Sequence, residues 1–126
     1  MKQLILIIDT AHPRARIICA DDTTVLGKRE WENTPKVGTD LLVHIGGLLE
    51  ELGKQKTDIT RVAVHAGPGS YGLVRTGIVT TTILAQAIGA ELAVVSGDSE
   101  EDVVKSARTG EKVDAVEPKY GQAVEK

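Results

Sequence analysis

Leu4-Ile5-Leu6-Ile7-Ile8 is an unbroken aliphatic run closed by Asp9. A strand with one wet face alternates polar and apolar residues, whereas a continuous run of strand length has both faces covered, as in a sheet layered between helices. The run therefore predicts a central strand, and every later element must be arranged around it. It is too short for the apolar segment of a secretory signal or for a membrane span. No membrane association is expected, and the chain is read as cytoplasmic.

Asp9 to Pro13 breaks the run, Ala15 to Ala20 resumes an extended pattern, and Asp21-Asp22 marks a tight turn before Thr24 to Trp31. Short connections make these three strands an antiparallel meander. Leu41, Ile45, Leu48 and Leu52 then recur at helical spacing, with Thr39 as the expected N-cap and Gly53 as the stop. Arg61 to Ala66 reads as a strand, Ser70 to Ile88 as a helix closed by Gly89, and Leu92 to Ser96 as a strand. Ser99-Glu100-Glu101-Asp102 opens a helix to about Arg108. Helical crossovers force the later strands parallel to the first. The expected class is α/β: an actin-like or ribonuclease H-like half domain whose mixed five-stranded sheet is a three-strand meander followed by αβαβα. Residues 1–110 form this domain, and polar residues 111–126 read as a C-terminal tail.

Only three aromatic residues (Trp31, Tyr71 and Tyr120) occur in 126, and the formal charge is −3. Stacking platforms and a broad cationic field are both missing, so strong direct binding of nucleic acid is not expected. One cysteine, Cys19, excludes an intrachain disulfide. His12, His44 and His65 are scattered without metal-ligand spacing, so no metal is expected.

Gly67-Pro68-Gly69-Ser70-Tyr71-Gly72 lies between a strand and a helix and matches G-x-G-x-x-G. In a dinucleotide site such glycines admit a pyrophosphate to a helix N-terminus. Against that stand Pro68, which removes an amide donor, and Asp98, which lies farther on than the roughly 20 residues the fingerprint requires. The competing reading is a tight strand-to-helix turn with Ser70 as N-cap. Asp9 and Thr10, at the end of a central strand, are the candidate nucleotide contact. In actin-like kinases an acid there serves a phosphate under a second, closing domain, which is missing here, and a turn-initiating role for Asp9 is the alternative. Ser70 lacks a nucleophile elbow and a triad partner.

Two segments carry a family resemblance: Leu4 to Ala11, and Gly67-Pro68-Gly69-Ser70-Tyr71-Gly72-Leu73-Val74-Arg75-Thr76-Gly77. They resemble the hallmark segments of the TsaB (YeaZ) family, accessory proteins of tRNA threonylcarbamoyladenosine synthesis, and Gly89 to Ser96 is similar to the family's next strand. The family pattern differs at Gly72-Leu73 (usually Thr-Gly), at His65 (commonly Gly) and at Gly38-Thr39 (usually His-Ser or His-Thr). Its second domain is almost wholly missing, and Glu117-Pro118-Lys119-Tyr120 resembles a remnant of its C-terminal tail, so the chain reads as a shortened, single-domain relative.

The resemblance implies a non-catalytic scaffold that pairs through two helices with a TsaD-like catalytic subunit, or with itself when alone, while a TsaE-like ATPase joins the assembly. It implies no cofactor, with ATP or ADP only in a cleft shared between subunits. The alternative is a nucleotide-binding enzyme using Asp9 and the Gly67 to Gly72 loop. Helix periodicity adds its own reason for docking, with the alternative that both apolar faces pack within the monomer. Val74, Ile78, Thr81, Ala85 and Ile88 form one seam, while Leu73, Thr80, Leu84 and Ala87 form a second apolar face. The partner interface is therefore expected at Leu41, Ile45, Leu48 and Leu52 with Val74, Ile78, Thr81, Ala85 and Ile88. Gly67, Pro68, Gly69, Ser70 and Arg75 are expected as a structural loop, with Arg75 tying it or a neighbouring element.

Overall fold

A computed structural model describes residues 3–119. Its elements are β1 (Ile5–Asp9), β2 (Arg14–Ala20), β3 (Val25–Glu32), α1 (Val37–Leu52), β4 (Arg61–His65), α2 (Tyr71–Ile88), β5 (Glu91–Val95) and α3 (Glu100–Thr109). The sheet order is β3-β2-β1-β4-β5, with β1 at the centre. β2 pairs antiparallel to both β1 and β3, while β4 is parallel to β1 and β5 to β4. This is the mixed five-stranded, actin-like and ribonuclease H-like half domain expected from the element order.

Period-two geometry splits β1 between two cores. Leu6 and Ile8 face α1 and α2 with Ile17, Leu41, Ile45, Leu48, Val62 and Val74. Ile5 and Ile7 face α3 with Ile18, Ala63, Val103, Val104 and Ala107. Every β1 residue is fully buried, which is why the strand reads as one aliphatic run. β3, at the sheet edge, instead exposes Lys28, Glu30 and Glu32 on alternate positions. Charges along an edge discourage pairing with another chain.

Gly53 (φ 68°) and Gly89 (φ 72°) end α1 and α2 in the left-handed conformation expected of helix-stopping glycines. Thr39 is not an N-cap: α1 begins at Val37 after Lys36. The turn forms earlier because the Thr34 hydroxyl accepts the Lys36 amide at 3.1 Å and the Thr34 carbonyl accepts the Val37 amide at 3.0 Å. A 3-10 turn at Lys56–Asp58, closed by reciprocal Gln55 and Asp58 bonds, was not foreseen.

Residues 111–119, read from the sequence as part of a tail, return along the domain. The Val113 amide donates to Leu92 O at 2.8 Å and the Lys119 amide to Ala66 O at 2.6 Å, while Val113 and Val116 pack on the larger core. Tyr120 and the rest of the tail segment lie outside the described residues. Arg61 fixes the turn into this segment. Its guanidinium donates to Glu91 at 2.8 Å, to Ala107 O at 3.0 Å and to Gly110 O at 2.5 Å, satisfying carbonyls at the end of α3.

Candidate functional site

The C-terminal ends of the parallel strands β1, β4 and β5 meet at one edge of the sheet, bringing Asp9, the loop after His65 and the turn at Asp98 together. Asp9 is fully buried. Its Oδ1 accepts the Ala11 amide at 2.9 Å, which starts the turn out of β1. Its Oδ2 accepts from Arg16 Nε at 2.9 Å and contacts His12 Nδ1 at 2.7 Å. Arg16 stands directly opposite Asp9 in the β1–β2 register, so strand pairing delivers this cation. Thr10 points elsewhere: its hydroxyl donates to Leu73 O at 2.6 Å, in the first turn of α2. Both candidate nucleotide contacts are thus committed to bonds within the chain.

His12 continues to Asp98, with Nε2 2.9 Å from Asp98 Oδ1, while Arg16 Nη2 donates to Asp98 O at 2.6 Å. Burial disfavours a charge on His12, but the hydrogen bond to Asp98 and the nearby Asp9 outweigh it and raise its pKa above 6.5. The same hydrogen bond lowers the pKa of Asp98 below 3.8. His65 lies edge-on to His12, ring centroids 5.0 Å apart. Its Nδ1 accepts the Gly67 amide at 3.2 Å and its Nε2 lies 2.9 Å from Gly97 O, which requires the neutral tautomer with hydrogen on Nε2. Chain separation hid this histidine pair from sequence reading. The clue was position: each follows or ends a strand at the same sheet edge. Among the described residues, no group of three or more His, Cys, Asp or Glu is placed to hold a metal ion.

The glycine loop is filled by the chain itself. A Cβ on Gly69 would lie 2.7 Å from Ala11 O and 2.9 Å from Val74 Cγ2, and one on Gly67 would collide with the Lys119 carbonyl. Gly67 has φ 102°, a conformation that favours glycine. Its amide is taken by His65, and Pro68 has none to offer. Ser70 occupies the N-cap position of α2, without a side-chain cap bond. Arg75 donates to the Tyr71 hydroxyl at 3.2 Å, one turn back on α2.

The seams expected at a partner interface face the chain's own sheet. Leu41, Ile45, Leu48, Val74, Ile78, Thr81 and Ala85 are buried, and Leu52 and Ile88 are half-buried against the same core. Their spacing described a core stripe, because a sheet takes the same periodicity as a partner helix. Other apolar side chains of the two helices are left in water. Leu42 (60% exposed) and Val43 (64%) project from α1, and Val79 (46%) and Ile83 (60%) from α2. Gly46, Gly72 and Ala87 are also exposed on these helices. The helices touch near their N-termini, where a Cβ on Gly38 would lie 3.2 Å from Thr76 Cγ2. Beside this contact a hollow of about 400 Å³ is lined by Asn33, Pro35, Val37, Ser70, Leu73 and Thr76.

A solved structure described as YeaZ from Pseudomonas aeruginosa matches this arrangement with a TM-score of 0.69 at 23% identity, over 75% of this chain and 44% of that one. A second, described as an uncharacterized protein with similarity to peptidase YeaZ from the same organism, matches at 0.67 and 25% identity, over 75% of this chain and 43% of that one. The fold is that of YeaZ. The resemblance to TsaB (YeaZ) carried by the two hallmark segments and the structural likeness agree. RuvC from Thermus thermophilus shares the fold more distantly, with a TM-score of 0.51 at 12% identity over 92% of this chain and 84% of that one. The TsaD family model, described as tRNA N6-adenosine threonylcarbamoyltransferase, matches residues 39–99. Among curated proteins none matches significantly. The chain spans less than half the length of the two YeaZ-type chains. Among the described residues no helix is long and apolar enough to cross a membrane.

Proposed function

We propose that this chain is a non-catalytic scaffold subunit in tRNA threonylcarbamoyladenosine modification, docking to a TsaD-like catalytic subunit through the outer faces of α1 and α2. The observation that carries this reading is that α1 and α2 leave four large apolar side chains, Leu42, Val43, Val79 and Ile83, in water on a YeaZ fold. Aliphatic surface of this kind favours a protein partner, and the exposed Gly46, Gly72 and Ala87 let a second pair of helices come close. In the absence of the partner the same face would pair two copies of the chain. A TsaE-like ATPase would join the assembled pair in the cytoplasm, and any ATP or ADP would sit in a cleft between subunits.

A nucleotide-binding enzyme is the weaker reading. Arg16 and His12 already neutralise Asp9, and Ala11 and Lys119 occupy the space a pyrophosphate would need beside Gly67 and Gly69.

The test is co-expression with the TsaD-like subunit of the same organism, followed by size-exclusion chromatography. A stoichiometric complex that is lost with Ile83→Asp supports the reading, as does loss of threonylcarbamoyladenosine from tRNA when the chain is depleted. Separate elution of the two proteins, with unchanged tRNA on depletion, overturns it.

A further inference from the structure

We propose that His12 is a pH-operated latch: as an imidazolium it donates to Asp9 and Asp98 together and pins the β5–α3 turn to the β1–β2 turn, and on losing its proton it releases Asp98. The geometry supplies two carboxylate partners on opposite ring nitrogens, at 2.7 Å and 2.9 Å. Only the doubly protonated ring can donate to both. A neutral ring keeps one hydrogen, and burial decides where it stays. The Asp9 side chain is wholly inaccessible and, were His12 to stop donating, could replace it with no water beside its Arg16 and Ala11 donors, whereas that of Asp98 is 94% exposed and can turn to water. Deprotonation therefore leaves hydrogen on Nδ1 facing Asp9, and a lone pair on Nε2 facing the Asp98 carboxylate.

The charged and titratable groups around the ring are Asp9 on β1, Arg14 and Arg16 on β2, Glu30 on β3, His65 on β4 and Asp98 after β5. His65 is engaged on both ring nitrogens, by the Gly67 amide and by Gly97 O. Opening is local. Arg16 still holds Asp98 O and Lys28 still holds Glu100 at 2.6 Å, so α3 stays docked and the release starts at the Asp98 side chain, loosening the turn around it only locally. That turn carries the Ser99 cap of α3, which accepts the Asp102 amide at 3.0 Å. It also carries the Gly97 carbonyl bonded to His65, through which the latch reaches the glycine loop.

The experiment is an NMR titration of the full chain from about pH 5 to about pH 8, following the His12 ring and the amides of Gly97, Asp98 and Ser99. The latch predicts one shared midpoint above 6.5, hydrogen on Nδ1 beyond it, and faster amide exchange at 97–99 than base catalysis alone gives. Asp98→Ala should move the His12 midpoint down and uncouple the amides from it. Amides that ignore the His12 midpoint in the wild-type chain would overturn the proposal, as would hydrogen retained on Nε2 after deprotonation. A variant that titrates as wild type would also overturn it.

Discussion

Ile83 and Ala85 stand two residues apart on α2 and face opposite ways: Ala85 is 3% exposed, in the core over the sheet, and Ile83 is 60% exposed. Two residues of α-helix rotate a side chain by about 200°, so this pair separates a core position from a solvent-facing one. Ala85→Arg forces a cation into the larger core and should unfold the chain. Ile83→Arg should leave the thermal midpoint within a few degrees of wild type. Circular dichroism melts check both outcomes.

Arg61 ties β5, the end of α3 and the start of the returning segment with one guanidinium. Arg61→Ala leaves the Ala107 and Gly110 carbonyls without that donor and should destabilise by about 2 kcal/mol. Glu91→Gln, at a half-exposed partner, should lower stability by less. Urea denaturation of the two variants measures the difference, and equal losses would contradict the clamp.

Glycine substitutions separate packing from ligand binding in the loop. Gly69→Ala drives a methyl against Ala11 O and Val74 and should cost on the order of 1 to 3 kcal/mol without any ligand present. Gly72 has open space around its missing Cβ and lies inside α2, so Gly72→Ala should stabilise by roughly 0.5 to 1 kcal/mol. Chemical denaturation of both variants decides it.

The pH dependence follows from the His12 and Asp98 shifts. His12 has a raised pKa in the fold, so its contribution is complete below 6.5 and disappears as pH rises through the folded value. Asp98 has a lowered pKa, so its contribution is complete above 3.8 and disappears as pH falls through its folded value. Their joint stabilisation is greatest between those limits. The thermal midpoint of the wild type minus that of Asp98→Asn, plotted against pH, should form a plateau there and decline on both sides.

Cys19 is buried between β1 and β3, and burial pushes its thiol up to about 11. In the native chain it should resist thiol reagents at neutral pH and react only after unfolding. Prompt modification of the folded protein would show that the sheet opens at that position.

Much of the sheet was legible because β1 is covered on both faces, and its single run of aliphatic residues records that burial. Gly53 and Gly89 marked helix ends for an equally local reason. The site was less legible. Asp9 and Arg16 meet through strand register, and His12 and His65 through a parallel pairing across α1, neither of which leaves a spacing in the sequence. Helix periodicity found the apolar seams but assigned them to a partner, whereas they pack on the chain's own sheet; Val74, Ile78 and Ala85 show the same pattern whichever of the two lies against them. The exposed apolar residues of α1 were hidden because Leu42 and Val43 adjoin the core residue Leu41. The returning residues 111–119 were missed because only Val113 and Val116 of that polar stretch pack on the core.

The most direct measurement is the affinity of the purified chain for the TsaD-like subunit, by isothermal titration calorimetry, for wild type and Ile83→Arg. Docking through the outer helix faces predicts saturable binding that weakens by about 2 kcal/mol or more in the variant, roughly thirtyfold, with its fold intact. Equal affinities for the two proteins would contradict that account.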